Sequence, residues 1–318
     1  MKFAVETWSP DYANPTEVDL APAEEPVDLA VELPPAAWEP VTPAPGLAIP
    51  SMVLFVDGVQ RIDVRVWIND GVDVHPGLCA SYAAGVVRCD AQAEVVATEV
   101  GRALFCRATG EAADITTRHG MFPLRATAAD DPESLSLALH AARQELEVSV
   151  ATKAAGAGEL LVVDGPLGAR RVLPSTVGYI KTHQVDYLPA GPRAVIGQLS
   201  AGQRSPVFCI GDRFARHSWY LRLPGELAHP WSGVVRCEAA SGVDAKQAVT
   251  LADQVSRLLP RFASVAHKDP RAPQNLFPIA GLERDLRRRL GDPLLLQRAL
   301  REASRTASTA AGDAPRAG

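Results

Sequence analysis

At 318 residues, with 47% hydrophobic and 22% charged content, the chain is long enough to bury one large core or two modest ones. Its five cysteines are scattered without a C-x-x-C pair, which argues against a disulfide framework and a zinc knuckle. The net charge of -5 is uneven, because residues 1–50 carry nine acids and one base whereas residues 261–305 carry ten bases and five acids. An acidic head on a mildly basic body is compatible with nucleic-acid binding.

No segment has the pattern of a signal peptide, and no apolar run approaches the roughly 18 residues of a membrane span. The expectation is a soluble, cytoplasmic protein with no membrane partner. Residues 1–50 contain ten prolines, and Pro34-Pro35 and Glu39–Pro45 exclude helix or central strand. The segment reads as an irregular, acidic arm with a preference for disorder. Trp8, Tyr12 and Trp38 are unusual in a purely solvating tail, so parts of it are candidates for packing.

The remaining chain reads as one domain over 51–305 followed by a flexible tail, 306–318. Met52–Asp57 is a strand, Gly58–Arg61 a turn, and Ile62–Ile68 an alternating strand whose Ile62, Val64, Val66 and Ile68 share one face. Leu78–Cys89 and Ala93–Arg107 complete a meander. Asp131-Pro132-Glu133 opens a helix with an N-cap acid and proline in its first turn. Leu135, Leu139, Ala142, Leu146 and Val150 form its apolar face, and Gly156 and Gly158 end it. Leu160–Val163 is the next strand, making the helix–strand half of a parallel unit. Further strands are expected at 194–199, 207–211, 218–223 and 233–237. A capping-box helix follows from Asp244 and Gln247, and the terminal helices break at Gly291-Asp292-Pro293.

Two strands run into Asp-Gly, at Asp57-Gly58 and at Asp164-Gly165. Either pair reads simply as a turn signal. Yet the same two carboxylates, with a glutamate from the intervening helix, form a set that repels itself until divalent cations relieve it. Hard oxygen donors suit Mg²⁺ or Mn²⁺, and two such ions can clamp the oxygens of a phosphodiester. Glu145 and Glu147 flank the apolar stripe on opposite sides, and periodicity does not choose between them. Lys181 ends the apolar strand Val177–Lys181 and is one of only five lysines; its compact ammonium suits a phosphate or a positioned water. His183 and His217 read as structural or DNA-facing. Arg287-Arg288-Arg289 reads as a solvated helix face, with phosphate contact as the alternative.

Val56–Arg61, Glu145, Val162–Leu167, Val177–Lys181 and Ala266-His267, in that order, together resemble the NurA family of DNA nucleases over residues 52–290. The resemblance implies an α/β, RNase H-like mixed sheet flanked by helices, and Mn²⁺- or Mg²⁺-dependent cleavage of DNA ends or single strands by metal-activated water. It also implies a homodimer docked on a hexameric HerA-type ATPase in end resection during DNA repair. It makes Asp57, Glu145, Asp164 and His267 the metal-binding set, with Lys181 beside them; Asp269 is the rival to His267. Val59 departs from the small hydroxyl residue common in the family. The competing reading is a non-catalytic RNase H-like adaptor of a DNA translocase; a related nuclease acting on RNA or branched DNA is a third.

Overall fold

The computed structural model describes residues 21–22, 25–69, 72–108, 112–156, 158–183, 185–211, 215–225, 229–240 and 242–312. Its main elements are β1 (Val53–Asn69), β2 (Val74–Cys89), β3 (Ala93–Arg107), α1 (Pro132–Ala154), β4 (Leu160–Asp164), β5 (Thr176–Ile180), α2 (Ala190–Gln198), β6 (Phe208–Ile210), β7 (Arg216–Arg222), β8 (Val234–Ala240), α3 (Ala245–Leu258), α4 (Phe277–Arg289) and α5 (Pro293–Gly312). The fold is mixed α/β, as expected. It divides into two compact units: one holds the residues up to Val56, Val87–Glu94 and Ala155–Gly281, the other Asp57–Val86, Val95–Ala154 and the residues from Leu282 onward.

In the first unit the strand order is Val27–Asp28, β6, β7, β8, β5, β4 and the opening residues of β1. Val53–Val56 pairs in parallel with Leu160–Val163, and β4 pairs in parallel with β5. The pairs β5–β8, β8–β7 and β7–β6 are antiparallel. Parallel strands buried on both faces read as unbroken apolar runs, and Leu160–Val163 and Val53–Val56 are each buried throughout. Trp38, Val195, Ile196, Phe208, Ile210 and Tyr220 form a core cluster.

Part of the Pro-rich segment belongs to this core. Val27–Asp28 pairs with β6, and Trp38 is buried, its Nε1 donating to the Leu29 carbonyl at 3.1 Å. Arg204, almost fully buried, binds both carboxylate oxygens of Glu32 at 2.7 and 2.9 Å. The preference for disorder therefore fails over residues 25–50, where a buried bidentate ion pair and a tryptophan offset the ordering entropy. Trp8 and Tyr12 lie outside the described residues.

In the second unit the rest of β1 is followed in the sheet by β2, β3 and Leu124–Thr127. Short loops join β1, β2 and β3, which makes them an antiparallel meander. One sheet face packs Leu78, Ala80, Tyr82, Ala103 and Phe105 against Leu135, Leu139 and Ala142 of α1. The other packs Cys79, Leu104 and Cys106, with Val64, Val66 and Ile68, against Leu296 and Leu300 of α5. Asp131 caps α1 through the Ser134 amide at 2.9 Å.

Three expectations fail. Gly58–Arg61 is not a turn, because β1 runs unbroken from Val53 to Asn69. Residues 194–199 are not a strand: α2 occupies them, and Pro192, Val195 and Ile196 recur at helical spacing on its buried side. A short apolar run does not distinguish the two by itself, and proline early in the segment favours the first helical turn. Helix α5 also continues to Gly312, into residues expected to fray; residues 313–318 lie outside the described ones.

Candidate metal and phosphodiester site

Strand β4 ends at Asp164, and the chain turns at Gly165, whose φ of +93° favours glycine. The turn fits against β5 because Gly178 has no side chain. A Cβ there would lie 2.9 Å from Glu238 Cγ and 3.1 Å from both the Gly165 carbonyl oxygen and the Leu167 nitrogen. The Asp164 carboxylate is held asymmetrically. Its Oδ2 accepts from Lys181 Nζ at 2.7 Å, whereas its Oδ1 is buried with no hydrogen-bond partner among the described residues.

Lys181 also donates to Asn275 Oδ1 at 3.2 Å, and Asn275 Nδ2 donates to Asp269 Oδ2 at 2.7 Å. Asp269 thereby orients the amide so that its oxygen faces the ammonium. The neighbouring Tyr179 hydroxyl donates to the Gln274 carbonyl at 2.6 Å. Burial, together with Cys237 and Asp164, raises the tyrosine pKa well above its ordinary value and keeps it protonated. The loop bearing Asp269 and Asn275 is thus anchored at Tyr179 of β5 and at Lys181 just beyond it.

In the second unit Asp57 lies within β1, is 6% exposed, and accepts from the Gly58 amide at 2.7 Å through Oδ1. A Cβ at Gly58 would meet Glu147 Oε1, so the absent side chain leaves room for that carboxylate. The Glu147 side chain is fully buried and ion-paired with Arg143, which donates to the Gly58 carbonyl at 3.2 Å. A carboxylate, a guanidinium and the Asp57-Gly58 backbone therefore meet on one face of α1.

No family model matches the chain, and no curated protein is similar to it. Among solved structures, the crystal structure of the NurA nuclease from Sulfolobus solfataricus aligns with a TM-score of 0.46 and 12% identity. It covers 78% of this chain and 81% of that one.

Lys181 and Asp164, picked out in sequence for separate reasons, are in direct contact. Glu145 lies on the exposed side of α1 and pairs with Arg125 at 2.6 Å; it is Glu147 that sits against Gly58. His267 is exposed on a turn, while Asp269 two residues on is buried. His183 is buried, with its Nε2 within hydrogen-bonding distance of the Val234 carbonyl at 3.2 Å. It packs against the Tyr220 and Trp231 rings, and burial lowers its pKa to about 4. His217 is buried within hydrogen-bonding distance of the Val243 carbonyl. Arg287, Arg288 and Arg289 each pair with Glu283 or Asp285 of their own helix.

Arg170, Glu238, Asn275 and Arg143 were absent from the sequence reading. Each acts on a residue distant in sequence or buried by the fold, so neither periodicity nor spacing marks it. Among the described residues, no group of three or more His, Cys, Asp or Glu side chains is arranged to hold a metal ion. The orphaned Oδ1 of Asp164 is nevertheless the donor a hard divalent cation takes: a buried anionic oxygen is costly without a partner.

Proposed function

We propose that the chain is a divalent-metal-dependent DNA nuclease acting on ends or single strands. The observation that carries this reading is the Asp164 carboxylate, with one oxygen on Lys181 and the other buried and open. Asp57 and Asp164 are each a proposed Mn²⁺ or Mg²⁺ ligand, and titration counts the ions bound. The helical carboxylate is Glu147, chosen over Glu145 for its burial against Gly58. Bound ions would supply charge neutralisation at the phosphodiester and activation of water.

The chain's own residues do the remaining work in this reading. Lys181, charged and held by Asp164 and Asn275, meets phosphate as a point charge. Asp269 fixes the Asn275 amide, so the ammonium keeps one direction. Arg143 keeps Glu147 against the Gly58 backbone. His267, exposed two residues from Asp269, is retained as a candidate outer ligand. DNA as substrate, a homodimer and a HerA-type translocase partner follow from the family resemblance of the ordered motifs.

Asp57→Ala and Asp164→Ala should each abolish Mn²⁺-dependent degradation of labelled DNA while circular dichroism stays native. Wild-type cleavage by both variants refutes the proposal. Calorimetry with millimolar Mn²⁺ separates it from the adaptor reading, which predicts no metal binding.

A further inference from the structure

The turn after Asp164 is bonded more densely than a connection between two strands requires. The peptide joining Asp164 to Gly165 is held at both ends. Its N–H donates to the Tyr179 carbonyl at 2.7 Å, and its carbonyl accepts from Arg170 Nη1 at 3.0 Å. The peptide joining Pro166 to Leu167 is held in the same way. Its carbonyl accepts from Arg170 Nη2, and its N–H donates to Glu238 Oε1 at 2.6 Å. Arg170 Nε reaches the Leu167 carbonyl at 3.4 Å as well. One guanidinium thus serves three carbonyls of a four-residue segment, which suits a planar fork of five donors and not a lysine.

Both charges are buried, Arg170 at 2% exposure and Glu238 at 1%. Glu238 Oε2 is itself held by Arg216 Nε at 3.1 Å and Arg236 Nη1 at 2.9 Å. Burying two ions to shape one turn is expensive unless every bond is made, and a turn needs only Gly165 and Pro166 to form. The strand pairing of Asp164 with Tyr179 sets its backbone on one side, and the doubly bonded peptide sets it on the other. The Cα–Cβ direction of Asp164 is consequently fixed before any ligand arrives.

We propose that Arg170 and Glu238 are positioning residues that clamp the Asp164–Leu167 turn and aim the Asp164 carboxylate at a divalent cation. This rests on the nuclease reading in taking Asp164 as a metal ligand. Partners one layer out from a metal ligand matter on the order of 10–100-fold in metal affinity. A role confined to folding would lower stability and leave the affinity of the folded protein unchanged.

The test uses the full chain and Mn²⁺ alone. Titration calorimetry should show a site in the wild type that Asp164→Asn removes, and Arg170→Lys and Glu238→Gln should weaken that site on the order of 10–100-fold. Wild-type affinity in both variants, with faster amide exchange at Leu167, overturns the clamp and leaves the nuclease reading standing. No Mn²⁺ site in the wild type fails both together. Where a variant does not fold, exchange in the wild type decides. The Gly165 and Leu167 amides should be protected without metal and equally protected with it. Protection that appears only on adding Mn²⁺ overturns a turn set in advance.

Discussion

Replacing Glu145 and Glu147 of α1 one at a time by glutamine distinguishes a solvated carboxylate from a buried one only two residues away in sequence. Glu145 is 60% exposed and its partner Arg125 44% exposed; an ion pair of that kind contributes about 0.2–1 kcal/mol. Glu147 is fully buried, and Arg143 is 13% exposed. Removing one charge of a buried pair costs about 3–5 kcal/mol, and Arg143 retains its bond to the Gly58 carbonyl, which places Glu147→Gln near the lower bound. At roughly 2–4 °C per kcal/mol, Glu147→Gln should melt about 6–12 °C lower, and Glu145→Gln within a few degrees of wild type. Both variants are then assayed for Mn²⁺-dependent DNA cleavage below the melting range, per folded molecule. Glu147→Gln should fall to background while Glu145→Gln cuts. The opposite pattern, with Glu145→Gln inactive and Glu147→Gln active, would refute the placement of Glu147 at the site.

Gly178→Ala forces a methyl group against Glu238 and the Gly165–Leu167 turn, an overpacking expected to cost about 1–3 kcal/mol in urea unfolding; an unchanged midpoint counts against the close fit. Lys181→Met leaves the Asp164 carboxylate without its cation and should cost about 1–3 kcal/mol in urea unfolding, the penalty of a partly buried acceptor losing its donor; an unchanged midpoint counts against that contact. Glu32→Ala deprives buried Arg204 of its bidentate partner and should cost about 3 kcal/mol or more, with faster protease cleavage within residues 25–50; equal cleavage rates count against docking of that segment. For His183 the folded pKa of about 4 lies below the roughly 6.5 of an unfolded histidine, so the unfolded chain binds the extra proton first. Its contribution to stability is complete above about 6.5 and is lost as pH falls toward 4. His183→Phe should flatten the stability profile in that window, and an unaltered slope would exclude the assignment.

How much was legible in the sequence follows from the range over which each signal acts. The α1 cap at Asp131, its apolar stripe, the α3 capping box and the break at Gly291–Pro293 are encoded within a few residues, where backbone geometry is set. The apolar run Leu160–Val163 ending in Asp164-Gly165 likewise announces a buried strand delivering a carboxylate into a turn. Asp57-Gly58 has the same local spelling and a different cause: its glycine admits Glu147 and not a turn, and only the packing of α1 shows that. The choice between Glu145 and Glu147 is also a matter of packing, since both flank one stripe and differ in what the fold lays over them. Glu238 reaches the Asp164 turn only when β4, β5 and β8 lie side by side, and Arg170 folds back on it from the helical turn Gly168–Val172. The sequence by itself determined that a carboxylate stands at the end of β4 with glycine behind it, because strand and turn propensities are local. Tertiary structure alone decided which oxygen of that carboxylate is left open, because Lys181 reaches Oδ2 while Tyr179, Arg170 and Glu238 hold the backbone of the turn behind it.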